Sequence, residues 1–219
     1  GGGQGVRSDD ARQKSEFFSA VTLCSPLSRL FVWTSFMPLQ MAPAPLAQAL
    51  AARGSEAATS VPAALLADDA KGRDLLVSAR TGSGKTVAFG LSLADTLLNG
   101  AERCGPSGAP LALVIAPTRE LALQVRSELE WLYAKTGARI VSCVGGMEPR
   151  TEARHLSAGC HIVVGTPGRL CDHLKRGNLD LSQLKAAVLD EADEMLDLGF
   201  RDELETLLDA TPKDRRTLL

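Results

Sequence analysis

From Pro45 onward the apolar positions of the chain fall into two alternating patterns. Leu75–Ala79, Leu111–Ala116, Ala138–Val144, His161–Thr166 and Ala186–Asp190 are short runs, apolar on consecutive positions. Such runs predict strands covered on both faces rather than strands with one wet side. Between them, apolar residues recur at helical spacing over Lys85–Leu98, Glu120–Lys135, Glu148–Ala158 and Arg169–Lys175, and again over Asp193–Leu198 and Arg201–Ala210. Upstream, Leu46–Arg53 carries helical spacing and ends at Gly54, and Ser60 is placed to cap a helix over Val61–Ala70 that closes at Gly72. Strand–helix alternation at this spacing implies right-handed crossovers. The predicted fold class is therefore α/β, a parallel sheet with helices on both faces. No internal repeat interrupts it.

The preceding stretch breaks this rhythm. Between Glu16 and Arg53 the only charged residue is Arg29, and five of the nine aromatic residues (Phe17, Phe18, Phe31, Trp33, Phe36) gather there. Arg29, Pro26 and Pro38 interrupt the apolar segment, so a membrane-spanning helix is not expected. Asp9, Asp10 and Glu16 stand where a signal peptide would carry basic residues. Residues 1–41 are read as a disordered or artefactual extension, and 45–219 as the folded domain.

Composition narrows the class further. Hydrophobic residues at 45% and charged residues at 23% are ordinary for a globular chain, which excludes collagen-like, wholly disordered and disulfide-scaffold proteins. A net charge of −2 argues against a strongly basic nucleic-acid binder but leaves room for a local basic patch. The five cysteines are odd in number and scattered, which suits a reduced, cytoplasmic protein.

Two segments carry candidate chemistry. After the strand Leu75–Ala79 comes Arg80-Thr-Gly-Ser-Gly-Lys-Thr86 and then a helix. This fits a phosphate-binding loop with Ala79 in the place of the first glycine. Gly82 and Gly84 let the backbone curl so that the N–H groups of Arg80, Thr81 and Ser83 and their neighbours face phosphate oxygens. The helix start adds unsatisfied donors and a positive dipole end. Lys85 has the reach to meet the β- and γ-phosphates, and the Thr86 hydroxyl is placed to ligate Mg²⁺. The second segment is Val188-Leu189-Asp190-Glu191-Ala192-Asp193, a buried run ending in adjacent carboxylates. Such an ending is costly without a compensating cation or donors. Asp190 would hold Mg²⁺, and Glu191 would orient or deprotonate an attacking water. A solvated acidic turn capping the next helix is the competing reading.

Together these motifs resemble the DEAD-box family of ATP-dependent RNA helicases, whose name spells Asp190-Glu191-Ala192-Asp193. Pro117-Thr118-Arg119-Glu120-Leu121, Gly145-Gly146 and Thr166-Pro167-Gly168-Arg169 follow successive strands in the family's order. The resemblance covers roughly Pro45 to Leu219 and implies the first RecA-like domain of such an enzyme. It implies ATP and Mg²⁺ as cofactors and adds Asp193 to the nucleotide site. It also implies RNA as partner, held through Thr118, Arg119, Gly146, Thr166 and Arg169. Those residues lie beyond the carboxyl ends of strands, where ligands collect in open parallel sheets. Their small and donor-rich character suits sugar–phosphate contact without base reading. A structural ion pair with Glu120 or Asp172 is the competing role for Arg119 and Arg169.

Two departures carry expectations. Pro62 stands where the family places a glutamine that senses adenine, and proline offers no carboxamide. Weakened discrimination of ATP over GTP is expected. The family's pattern also continues past Leu219 into a Ser-Ala-Thr motif and a second RecA-like domain that supplies arginine fingers. The strand beginning near Leu219 would insert between the phosphate-loop strand and the Asp190 strand, and with most of it lacking the sheet would keep unpaired edges. A monomer with little turnover of its own is expected, and a nucleotide- or RNA-binding module without turnover is the alternative reading. Cys160, His161, Cys171 and His173 show no compact zinc spacing. Trp131 and Tyr133 are expected to pack rather than stack on bases.

Overall fold

The computed structural model describes residues 42–53, 74 and 84–219, together with the backbone of Leu30–Phe31 and Leu76–Val77. In chain order the elements are β1 (Leu30–Phe31), α1 (Ala44–Ala52), β2 (Leu76–Val77), α2 (Lys85–Leu98), β3 (Ala112–Ile115), α3 (Arg119–Leu132) and β4 (Ile140–Cys143). There follow α4 (Pro149–Ser157), β5 (Ile162–Gly165), α5 (Pro167–Lys175), β6 (Ala186–Leu189), α6 (Ala192–Asp197), α7 (Arg201–Asp209) and β7 (Arg216–Leu218). The expected helix over Val61–Ala70, Pro62 within it and the loop residues Ala79–Ser83 lie outside the described residues.

Five strands form one parallel sheet in the order β4-β5-β3-β6-β7. The consecutive apolar residues of each central strand serve two separate cores, because successive side chains point to opposite faces. Ala112, Val114, Ile162, Val164, Ala186 and Val188 face a layer containing α1, α2 and α3. Leu113, Ile115, Val163, Ala187 and Leu189 face a second layer containing α4, α5, α6 and α7. The predicted α/β class with helices on both faces is what forms. Each buried leucine contributes about 1.5–3 kcal/mol by leaving water.

The helix pair α2–α3 shows how closely one layer packs. The Tyr133 hydroxyl, at the end of α3, donates to the Gly90 carbonyl at 2.6 Å. A side chain at position 90 would meet Leu132 at 2.7 Å, so the absence of a Cβ sets the approach of the two helices. Burial pushes the Tyr133 phenol well above its ordinary range. Trp131 packs beside the same core, with the Arg53 guanidinium 4.2 Å from its ring centre. Both aromatic residues pack, as expected.

Two edges depart from expectation. Leu30–Phe31, within the stretch read as an extension, pair in parallel with Leu76–Val77 on the strand that leads into the phosphate loop. Near the C-terminus, Arg216–Leu218 form a strand paired with Ala186–Val188, so the β6 edge is covered over three residues. The Thr217 amide donates to the Asp74 carboxylate at 2.6 Å, and the Arg216 guanidinium reaches the Ser92 carbonyl of α2 at 3.0 Å. The short strand thus covers the β6 side, and among the described residues β7 is itself the outer strand of the five-stranded sheet, with β2 paired to β1 instead.

Parallel topology has one consequence for chemistry. The segments after β3, β4, β5 and β6 all emerge at the same rim of the sheet, and α2 begins there as well.

Candidate functional site

At that rim α2 starts without a capping side chain. Its N-cap, Gly84, holds φ at +83°, a left-handed conformation that glycine adopts without steric cost. No acidic residue occupies the first turn of α2, so the positive end of a 14-residue helix is not neutralised by its own sequence. Lys85 and Thr86 are its first two residues.

The Lys85 ammonium extends to the end of β6, with Nζ 3.6 Å from Asp190 Oδ1 and 4.0 Å from Glu191 Oε1. The two segments singled out in the sequence therefore meet at one place. Asp190 is buried, and its backbone N–H donates to the Ile115 carbonyl at 2.9 Å, fixing the residue at the strand end. Burial pushes the Asp190 carboxyl above its ordinary range, and the charge and hydrogen bond of Lys85 only partly offset this.

Glu191 adopts φ +57°, a region disfavoured for any residue with a Cβ. It serves as N-cap of α6, and its carbonyl accepts from the Met195 amide at 3.1 Å. That turn redirects the chain so that adjacent carboxylates face the same ammonium. A hydrogen bond with Glu194 raises the proton affinity of Glu191, burial and the Asp190 charge raise it further, and Lys85 lowers it. Asp193 lies exposed in the first turn of α6.

The remaining residues of interest line the same rim further along. Thr118 caps α3, its hydroxyl accepting from the Leu121 amide at 3.2 Å. Arg119 is exposed and lies over Gly146, whose φ is +78°; a Cβ at Gly146 would run into the Arg119 guanidinium. Thr166 is the N-cap of α5 with no side-chain cap. Arg169 is largely covered. Its Nη2 donates to the Met147 carbonyl at 3.1 Å, and its Nε lies 3.5 Å from Glu152. Asp172, the partner considered from sequence, stands further off at 4.0 Å. Glu152 is the principal partner because α4 carries it inward beside α5, whereas Asp172 lies on the half-exposed flank of α5 and binds Arg176 at 2.7 Å.

Sequence reasoning missed Glu152 and its pairing with the buried His173. The available sign was spacing: Glu152 and Leu156 are four apart on α4, so they share its inward face. The candidate zinc residues do not assemble. Both ring nitrogens of His161 are engaged, by the Arg139 amide at 2.9 Å and the Gly105 carbonyl at 3.0 Å, and the Cys171 thiol faces the Glu203 carbonyl. Among the described residues no helix is long and apolar enough to cross a membrane.

Comparison with known proteins agrees with this geometry. The family described as DEAD/DEAH box helicase matches residues 57–219. "DEAD-box ATP-dependent RNA helicase 9" of Oryza sativa subsp. japonica is 42% identical over 170 residues, covering 78% of this chain and 27% of that protein. "ATP-dependent RNA helicase DeaD" of Escherichia coli (strain K12) is 45% identical over 178 residues, covering 80% of this chain and 27% of its own length. A DEAD box protein of the hyperthermophile Methanococcus jannaschii, solved by crystallography, superposes with a TM-score of 0.67 at 35% identity, covering 80% of this chain and 47% of that one. The chain thus spans about a quarter of the curated relatives it matches. The match runs through the phosphate-loop and Asp190–Asp193 segments and through the strand-end motifs between them, and the chain belongs to the DEAD/DEAH box helicase family.

Proposed function

We propose that this chain is the ATP-binding domain of an ATP-dependent RNA helicase, hydrolysing ATP in response to RNA and coupling that to duplex unwinding. The observation that carries the reading is Lys85 standing between α2 and the Asp190–Glu191 pair. In this reading Ala79, Arg80, Thr81, Gly82, Ser83 and Gly84 cradle the phosphates with backbone N–H groups, and Lys85 neutralises the β- and γ-phosphate charge. Asp193 adds a polar contact at the nucleotide. Asp190 and Thr86 are the residues to hold Mg²⁺, which supplies charge neutralisation on the phosphates when bound. The donor set fits: a buried carboxyl with its proton affinity raised by burial gains most from a nearby divalent cation. Glu191, with raised proton affinity, suits the task of orienting water and accepting its proton.

Thr118, Arg119, Gly146, Thr166 and Arg169 offer donors and exposed backbone along one rim, suited to RNA sugar–phosphate contact without base recognition. The test is ATP turnover with and without single-stranded RNA, comparing wild type with Glu191→Gln in the chain and in a version extended by the second domain of a relative. RNA-dependent turnover in the extended form, abolished by Glu191→Gln with nucleotide binding retained, supports the reading. Binding of nucleotide and RNA with no turnover in either form marks a passive module instead.

A further inference from the structure

One buried carboxylate has no part in the nucleotide site. Glu152 of α4 is 2% exposed, yet three donors converge on it. The Val144 amide donates to Oε1 at 2.9 Å, His173 Nε2 lies 2.7 Å from Oε2, and Arg169 Nε lies 3.5 Å from the same oxygen. Asn178 Nδ2 faces His173 Nδ1 at 3.4 Å, and because an amide nitrogen cannot accept, Nδ1 is the acceptor in that pair. His173 Nε2 is then the nitrogen that donates to Glu152. Burial of the carboxylate is compensated from two directions, the end of β4 and the inner face of α5.

The partners are not arbitrary positions. Val144 immediately precedes Gly145-Gly146, and Arg169 is three residues beyond Thr166. Arg169 also donates to the carbonyl of Met147, which immediately follows Gly146. One side chain of α4 therefore ties together two loops that reach the rim from different strands. A metal centre is the other chemistry that Cys143, Glu152 and His173 suggest, since their ligand atoms lie within 4.8 Å of one another. The guanidinium already against the carboxylate opposes a further cation. Burial and the charge of Glu152 both push the Cys143 thiol up, keeping it protonated and a poor ligand.

We propose that Glu152 is a positioning residue for RNA: it fixes the Gly145–Met147 loop and the Thr166–Arg169 turn at one spacing, so that both meet the same strand. This rests on the RNA reading above. A tie that merely held the fold would weaken nucleotide and RNA binding alike.

Glu152→Gln tests it, because glutamine keeps an acceptor for the Val144 amide and satisfies His173 by a change of tautomer, with the Asn178 amide turned so that its Oδ1 accepts from Nδ1, while losing the charge that holds Arg169. In hydrogen exchange without RNA, the variant exposes residues 144–147 and 167–170 while β3 and β6 keep their protection. In fluorescence anisotropy its Kd for single-stranded RNA rises about tenfold, and its Kd for a labelled ATP analogue stays within about twofold. Combined with Arg169→Gln, the loss of RNA affinity is no greater than for Arg169→Gln alone. Unchanged RNA affinity, equal losses for RNA and nucleotide, or additive effects overturn the proposal. Should the variant not fold, exchange on the wild type with RNA decides: joint protection of 144–147 and 166–170 supports the tie, and protection of only one segment overturns it. A wild-type chain that binds no RNA overturns the functional reading and this role together; exchange without RNA separates that outcome from failure of the tie.

Discussion

Gly146 offers the sharpest separation of backbone from ligand effects, because its neighbour provides the control. Gly146→Ala places a side chain on a backbone at φ +78° and drives its Cβ into the Arg119 guanidinium. Left-handed backbone costs an L-residue about 1–2 kcal/mol. Arg119 is exposed, so its displacement adds little to stability but removes a cation from its place over the loop. At this chain length the strain lowers Tm by about 2–8 °C. Losing one charge-assisted contact weakens RNA binding by about tenfold. Gly145→Ala meets nothing within 4 Å and has no left-handed backbone, so it leaves Tm near wild type and Arg119 in place. Thermal melts and RNA anisotropy on the two variants, with nucleotide affinity as reference, measure all of this. Equal behaviour of the two alanine variants, or a Gly146→Ala protein with normal RNA affinity, would refute the reasoning.

Asp190→Asn trades function for stability. With its proton affinity raised in the fold, the native state holds that proton more tightly than the unfolded chain. Stability therefore falls as pH rises from the ordinary aspartate value through the raised one, and stays lower above it. The variant melts higher than wild type at pH 7, with the gap closing toward pH 4, and takes up no Mg²⁺-dependent nucleotide; a lower melting point at pH 7 contradicts the burial argument. Tyr133→Phe removes the hydrogen bond to the Gly90 carbonyl and costs about 1 kcal/mol in denaturant unfolding, with RNA and nucleotide affinities unchanged. Pro62→Gln supplies a carboxamide where the chain has none, so the ratio of ATP to GTP affinity increases; a wild-type preference of about 100-fold already in place would remove the premise.

Much of the fold was legible because its central strands are buried on both sides. Ala112–Ile115 and Ile162–Gly165 lie inside the predicted Leu111–Ala116 and His161–Thr166 runs, since continuous apolar character has few other uses at that length. The meeting of Lys85 with Asp190 was expected from two local motifs, each readable from its own neighbours. Other features depend on contacts distant in sequence. For Arg169 the competing ion-pair role named Asp172, which is near in the chain, whereas Glu152 reaches it from another helix. Glu152 lies on a polar helix where one more charge does not stand out, although its spacing from Leu156 places it inward. The left-handed backbone of Glu191 leaves no mark in composition or periodicity, and the strand at Arg216–Leu218 is too short for a pattern of its own.

The central claim is that Lys85 and Asp190 grip a single magnesium–triphosphate. Isothermal calorimetry of the folded chain with ATP, in Mg²⁺ and again in EDTA, tests it when repeated on Lys85→Ala and Asp190→Asn. Binding in Mg²⁺ is expected, weakened in EDTA and lost in both variants while their melting transitions persist. Wild-type heats absent for every nucleotide, or affinity undiminished in Lys85→Ala, would contradict it.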